Sequence, residues 1–288
     1  MPTDVSRIAE SLITPEAAGA VDDHVGPESV DGMEKSSSIV TASNDQTASV
    51  WDITTGEAVV TVRHDLELNS AVFDPSGMAI ATASQDGSAK VWDATTGELL
   101  TEVRHGNSVY GAVFDSSGAL LVTASDDKTA SVWDVTSGAM VATAKHNHAV
   151  YNASFDVTST RFVTASRDGS ASVWDVSTGA KLLTARHSNR CMNAAFDPSG
   201  TKIVTASFDK TSTVWDIVSG TKIFTAKHRS QVFSAQFDKL GIQIVTGGDD
   251  NAARVWDVAC GREVATLQHK DRVSTYVDSK LRLSIQND

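Results

Sequence analysis

Along most of the chain, apolar and polar positions alternate over short runs, and each run stops at a polar turn. Residues 191–227 show the unit. Cys191–Phe196 is small or apolar and ends in Asp197-Pro-Ser-Gly200, where Pro presets φ at the second turn position and Gly relieves crowding at the fourth. Lys202–Ala206 is β-branched and alternating, and Phe208-Asp209-Lys210 turns the chain. Thr211–Trp215 is a third run, and Asp216-Ile-Val-Ser-Gly220 places Gly where a positive φ is expected. Lys222–Ala226 is the fourth run and leads to His228. Period-two runs at a spacing of roughly 8–12 residues predict an all-β architecture built of four-stranded units. No helix-period stripe occurs in this region.

The unit repeats. Trp-Asp occurs at Trp51, Trp92, Trp133, Trp174, Trp215 and Trp256, always 41 residues apart. Four further series keep the same step. They are His64, His105, His146, His187, His228 and His269; Asp45, Asp86, Asp127, Asp168, Asp209 and Asp250; Thr41, Thr82, Thr123, Thr164, Thr205 and Thr246; and Gly56, Gly97, Gly138, Gly179, Gly220 and Gly261. The first unit has runs at Ser38–Ala42, Thr47–Trp51 and Ala58–Val62, with its innermost run missing or degenerate. The last offers Val273–Val277 and Leu281–Gln286, without a Trp-bearing run. Residues 1–37 do not repeat. Val5, Ile8, Ala9, Leu12 and Ile13 follow helical spacing up to Pro15, and residues 16–36 have a linker's composition. A short docking helix and an acidic tail are both open readings of 1–37.

Period, Trp-Asp pair, turn Asp and loop His together resemble the WD-repeat family, whose repeats of ~40–45 residues each give four strands of a β-propeller. The resemblance runs from residue 38 to about 278. It implies a β-propeller over 38–288 with six clear four-stranded blades, closed either as six, with Val273–Val277 entering the first blade, or as seven. One position departs consistently. Family members often have Gly before the loop His, and here stand Arg63, Arg104, Lys145, Arg186, Lys227 and Gln268.

Each unit holds His, Ser or Thr, Asp and Trp, the ingredients of a nucleophilic triad. The resemblance implies something else: a hydrogen-bond chain inside each blade. The turn Asp accepts from the His, the His meets the strand Thr, and the Thr reaches the indole N–H, as in His146, Asp168, Thr164 and Trp174. Six equivalent copies argue for scaffold, because an active site breaks symmetry. His148 lacks the companions of a metal site, and P-loop, G-x-G-x-x-G, G-x-S-x-G and H-E-x-x-H motifs are absent. No enzyme, metal or cofactor is therefore expected.

Composition narrows the partners. The net charge is −12, and residues 1–37, with eight acids and two bases, carry half of it. A net-acidic chain without a basic run is poorly suited to nucleic-acid phosphates or anionic membranes. Two cysteines and no Cys-x-x-Cys point to a reducing, intracellular setting, with the cytoplasm expected. The expected partners are other proteins or peptides, with the chain acting as a scaffold or as a subunit of a multiprotein complex.

Function belongs where the repeats differ. The resemblance implies a partner face at the top of the propeller, at positions three and five after the loop His and one before the turn Asp. Five after the His stand Asn69, Tyr110, Tyr151, Met192, Phe233 and Ser274. The expected surface is the arc Tyr110, Tyr151, Met192 and Phe233 with Phe208, edged by Arg167, Arg190 and Arg272. Aromatic anchors beside Arg are the usual make-up of interface hot spots. The blander reading is that these side chains tilt between blades and pack there. A competing function is substrate recognition for a ubiquitin ligase. Relatives that dock on cullin-type ligases usually carry Arg shortly after Trp-Asp, whereas here Ile53-Thr54, Ala94-Thr95, Val135-Thr136, Val176-Ser177, Ile217-Val218 and Val258-Ala259 follow it.

Overall fold

The computed structural model describes residues 38–273. Among them are twenty-three strands and no helix, arranged in six antiparallel sheets whose strands pair in chain order. Numbered along the chain, the blades span residues 38–63, 68–104, 109–145, 150–186, 191–227 and 232–268. Blades two to six have four strands, and blade one has three among the described residues. The expected helix at 5–13 and the strand at Leu281–Gln286 lie outside them too. Of Val273–Val277 only Val273 is described. It is buried, and its N–H donates to Gly248 O at 3.0 Å. Leu68, the first residue of blade two's inner strand, makes the same bond to Ser43 O at 3.2 Å. Val273 thus stands where a further inner strand would start.

Blade five shows how the residues make the elements. Cys191–Phe196, Lys202–Ser207, Thr211–Asp216 and Lys222–Lys227 are its inner, second, third and outer strands. Asp197 closes the first turn by accepting the Lys202 N–H at 2.7 Å, with Gly200 at φ +67°. Asp216, the Asp of Trp-Asp, accepts the N–H and hydroxyl of Ser219, both at 2.7 Å, and Gly220 takes φ +70°. A side chain at that φ carries a steric penalty that Gly avoids.

The core lies between blades. Val122, Ala124, Val132 and Ala144 of blade three pack against Val150, Phe162 and Trp174 of blade four. Equivalent clusters join each other successive pair. Each Trp from Trp92 to Trp256 therefore rests on the blade before it. A buried aromatic covers roughly 150–250 Å², an upper bound of about 4–6 kcal/mol at about 25 cal/mol per Å². Ala71, Ala112, Ala153, Ala194 and Ala235 occupy one buried position of the inner strands, where small side chains let neighbouring blades approach.

Candidate partner-binding face

The loop His, turn Asp, strand Thr and Trp meet inside the blades. His64 Nε2 lies 2.7 Å from Thr82 Oγ1, and its Nδ1 lies 3.0 Å from Asp86 Oδ2. The Trp92 indole N–H donates to Thr82 Oγ1 at 2.8 Å. The same contacts join His105, Asp127, Thr123 and Trp133, then His146, Asp168, Thr164 and Trp174, then His187, Asp209, Thr205 and Trp215. Burial opposes ionisation of Asp86, but hydrogen bonds from Ser88, His64 and Asp65 outweigh it and hold its pKa at about 2. Burial lowers the His64 pKa, so the imidazole is neutral at pH 7. An ionised Asp86 takes the Nδ1–H, which leaves Nε2 to accept the Thr82 hydroxyl. Every group in the relay has a partner.

Two ends of the series differ. In blade one, Trp51 donates to Thr41 at 2.8 Å, but no described His reaches Asp45, which is exposed and bonded to Ser43 and Thr47. In blade six, Trp256 donates to Thr246 at 2.9 Å. The expected link from Thr246 to His228 is absent: His228 Nε2 is buried without a partner, as is Asp250 Oδ1. Arg254 is the cause. Its guanidinium lies 2.7 Å from both His228 Nδ1 and Asp250 Oδ2, and the direct His228–Asp250 separation is 3.6 Å. Earlier blades carry Ser49, Lys90, Ser131, Ser172 and Thr213 at that position.

Above these relays lies the face where the loops gather. Each described inner strand has a register shift near its first residue, between Leu68 and Ser70, Val109 and Gly111, Val150 and Asn152, Cys191 and Asn193, and Val232 and Ser234. The residue skipped in each is Asn69, Tyr110, Tyr151, Met192 or Phe233. A β-bulge frees one residue from the ladder and re-aims its side chain. The other two positions are tied together: the N–H before the turn Asp donates to the carbonyl three after the loop His, as from Arg167 to Ala149 and from Phe208 to Arg190, both at 2.9 Å.

The aromatic residues form two pairs. Tyr110 and Tyr151, from blades three and four, have centroids 5.5 Å apart at 59°. The Tyr110 hydroxyl donates to Asp126 at 3.1 Å, and burial with the Asp126 charge raises its pKa to about 12. Phe208 and Phe233, from blades five and six, meet edge to face at 5.5 Å, and the Arg190 guanidinium lies 5.8 Å from the Phe208 ring centre. Met192 occupies the bulge between the pairs. All five apolar or aromatic residues are half-buried, as is Arg190, while Arg167 and Arg272 are exposed. Packing between blades and partial exposure thus coexist. Asp126 as an anchor of Tyr110 and Arg254 as the intruder in blade six were not singled out from the sequence. An Arg at position 254, where the other blades carry Ser, Thr or Lys, was the visible signal for the second, and the bulges left none.

Elsewhere, the cavity along the inner strands of blades four to six is lined by Asn152, Ser154, Asn193, Ser234 and Gln236 with Phe155 and Phe196, and its lining contains no ionisable side chain. Among the described residues, no three His, Cys, Asp or Glu side chains are grouped to hold a metal ion, and no helix is long and apolar enough to cross a membrane.

The family model of the WD domain, G-beta repeat, matches residues 56–93, 97–134, 139–175, 180–216 and 220–257. Each match starts near the outer strand of one blade and ends on the Trp-Asp of the next, so the matched unit straddles the blade interfaces. No curated protein matches the chain.

Proposed function

The chain belongs to the WD-repeat family, and from that premise we propose that it is a non-enzymatic platform that binds a partner peptide or protein on the loop-His face. WD repeats typically mediate protein–protein interaction. The observation that carries the reading is the set of bulges, which lift Tyr110, Tyr151, Met192 and Phe233 out of the strand ladder beside Arg190. An aromatic anchor with Arg nearby gives apolar contact and a directional charge in one place. The occupant is a segment whose apolar side chains sit on the rings and whose carboxylates meet Arg167, Arg190 and Arg272. The internally hydrogen-bonded relays of blades two to five and the inner cavity, whose lining has no ionisable side chain, support a binding role over catalysis. Two free thiols, buried Cys191 and exposed Cys260, support a reducing, intracellular setting.

Affinity capture followed by mass spectrometry, with the chain and with a Tyr151→Ala/Phe233→Ala double variant, tests the reading. Loss of the captured partner at an unchanged thermal midpoint is expected. Equal capture by a folded double variant overturns it.

A further inference from the structure

The loop-His face is electrically divided. Its blade-one to blade-three side carries Asp65, Glu67 and Asp126 against Lys128. Its blade-four to blade-six side carries Arg167, Arg190, Lys210 and Arg229 against the exposed Asp249, and none of these four cations pairs with a carboxylate among the described residues. The turn acids on that side, Asp168 and Asp209, are already engaged by their own loops: Asp168 accepts from the Asn147 N–H at 3.0 Å and Asp209 from the Ser188 N–H at 3.1 Å. Of these cations, Arg190 lies 5.8 Å from the ring centre of Phe208, which meets Phe233 edge to face. This sector therefore suits a ligand that is anionic and partly apolar, and the acidic side repels the same ligand.

One segment of this chain has that chemistry. Residues 1–37 carry eight acids against two bases, including Asp22, Asp23, Glu28, Asp31 and Glu34 close together, and also Val5, Ile8, Leu12 and Ile13. We propose that residues 1–37 fold back onto the basic, aromatic sector of their own molecule and occupy it until a partner displaces them. The inference rests on the platform reading above and adds a resident competitor to it. Reach is sufficient. The segment joins blade one at Ser38, and thirty-seven extended residues span up to about 120 Å. Tethering also supplies an effective concentration in the range of about a millimolar, so weak contacts suffice. Because the cations are solvent-exposed or at a rim, the contact weakens as salt screens it.

The test replaces Phe208 with p-benzoylphenylalanine, which keeps a ring at that position, in the full chain. Irradiation is expected to give a product of monomer mass in which position 208 is joined to a peptide from residues 1–37. The yield falls about fivefold in an Asp22→Asn/Asp23→Asn/Glu28→Gln variant and at high ionic strength. In parallel, a labelled synthetic peptide of residues 1–37 binds that neutralised chain about tenfold more tightly than the unaltered chain, because the resident segment no longer competes. The proposal is overturned by absence of a cross-link to 1–37, by a product only of dimer mass, by a yield indifferent to the three acids, or by equal peptide affinities. If the Tyr151/Phe233 variant loses its partner while no such cross-link forms, the platform reading stands and the resident segment falls. A cross-link with unchanged partner capture keeps the segment docked and removes the platform reading.

Discussion

Blades five and six are neighbouring copies of one repeat, and their polar interiors behave differently. In blade five, Thr211 Oγ1 donates to Asp209 at 2.6 Å, His187 meets both Asp209 and Thr205, and Trp215 seals Thr205. In blade six the Thr211 position is Ala252 and the Thr213 position is Arg254. The arginine reaches Asp250 and His228, draws the imidazole away from Thr246, and leaves Asp250 Oδ1 and His228 Nε2 orphaned. The preceding strand differs as well. Ser207 donates to Asn189 O at 3.2 Å and accepts the Asp209 N–H at 3.0 Å, whereas Gly248 has no hydroxyl and a Cβ there would lie 2.6 Å from Gln231 O. The lesson is that Trp–Thr pairing tolerates loss of the His link, while the His link to Thr persists in blades two to five, each of which keeps a hydroxyl two residues after the turn Asp, and persists in blade two even with Lys90 two further on.

The largest expected effect separates the blades directly. Thr205→Val strips partners from both Trp215 and His187, each unpaired buried group costing about 1–3 kcal/mol, so a loss of about 2–6 kcal/mol is expected. Thr246→Val leaves one ring, Trp256, without its partner rather than two and costs about 1–3 kcal/mol. Urea denaturation of the two variants measures the gap, and equal losses would break the comparison.

Acid sensitivity comes next. Burial first, then the Arg254 charge, pushes the His228 pKa down to about 4, from an ordinary value of 6.5. Between these values the unfolded chain binds the extra proton, so stability is full above about pH 6.5, falls as the pH drops, and has lost this contribution below about pH 4. The shift corresponds to about 3 kcal/mol for this buried ring. A His228→Asn variant should therefore lose less stability between pH 7 and pH 4.5 than the unaltered chain. An unchanged pH dependence would assign the acid sensitivity to other groups.

A restoration is smaller. Ala252→Thr with Arg254→Thr gives blade six the hydroxyls of blade five, one of them aimed at the orphaned Asp250 oxygen. A gain of about 1 kcal/mol is expected, together with a rise in the His228 pKa as the neighbouring charge is removed. Imidazole chemical shifts across pH read the second effect, and a falling pKa would contradict the role given to Arg254. Smallest is the effect on exchange. The Trp256 indole N–H, whose Thr lacks a His above it, should exchange with deuterium a few-fold faster than that of Trp215. The reverse order would mean that Arg254 closes blade six more tightly than His187 closes blade five.

Much of this was legible from spacing. The 41-residue step located every described strand, and Asp197, Gly200 and Gly220 announced their turns through their own backbone chemistry. The relays of blades two to five were readable because each uses four residues at constant offsets. Blade six was misread at one link, since a repeat is recognised by what it keeps and Arg254 acts through what it changes. The partner face was legible as positions but not as a surface. A bulge inserts one residue without altering composition, so nothing in Val-Tyr-Gly or Val-Tyr-Asn declares that Tyr110 and Tyr151 leave the ladder.

The sequence by itself determined the number of repeats, the strand and turn positions, and the membership of the relays, because each depends on residues a fixed and short distance apart. Only the tertiary structure decided which residues meet across that period. It paired Tyr110 with Tyr151 and Phe208 with Phe233, set Arg190 on a ring, and let Arg254 part His228 from Thr246. Such contacts depend on how one blade is placed against the next and on how far a side chain reaches. Those distances follow from packing around the inner strands, not from separation along the chain.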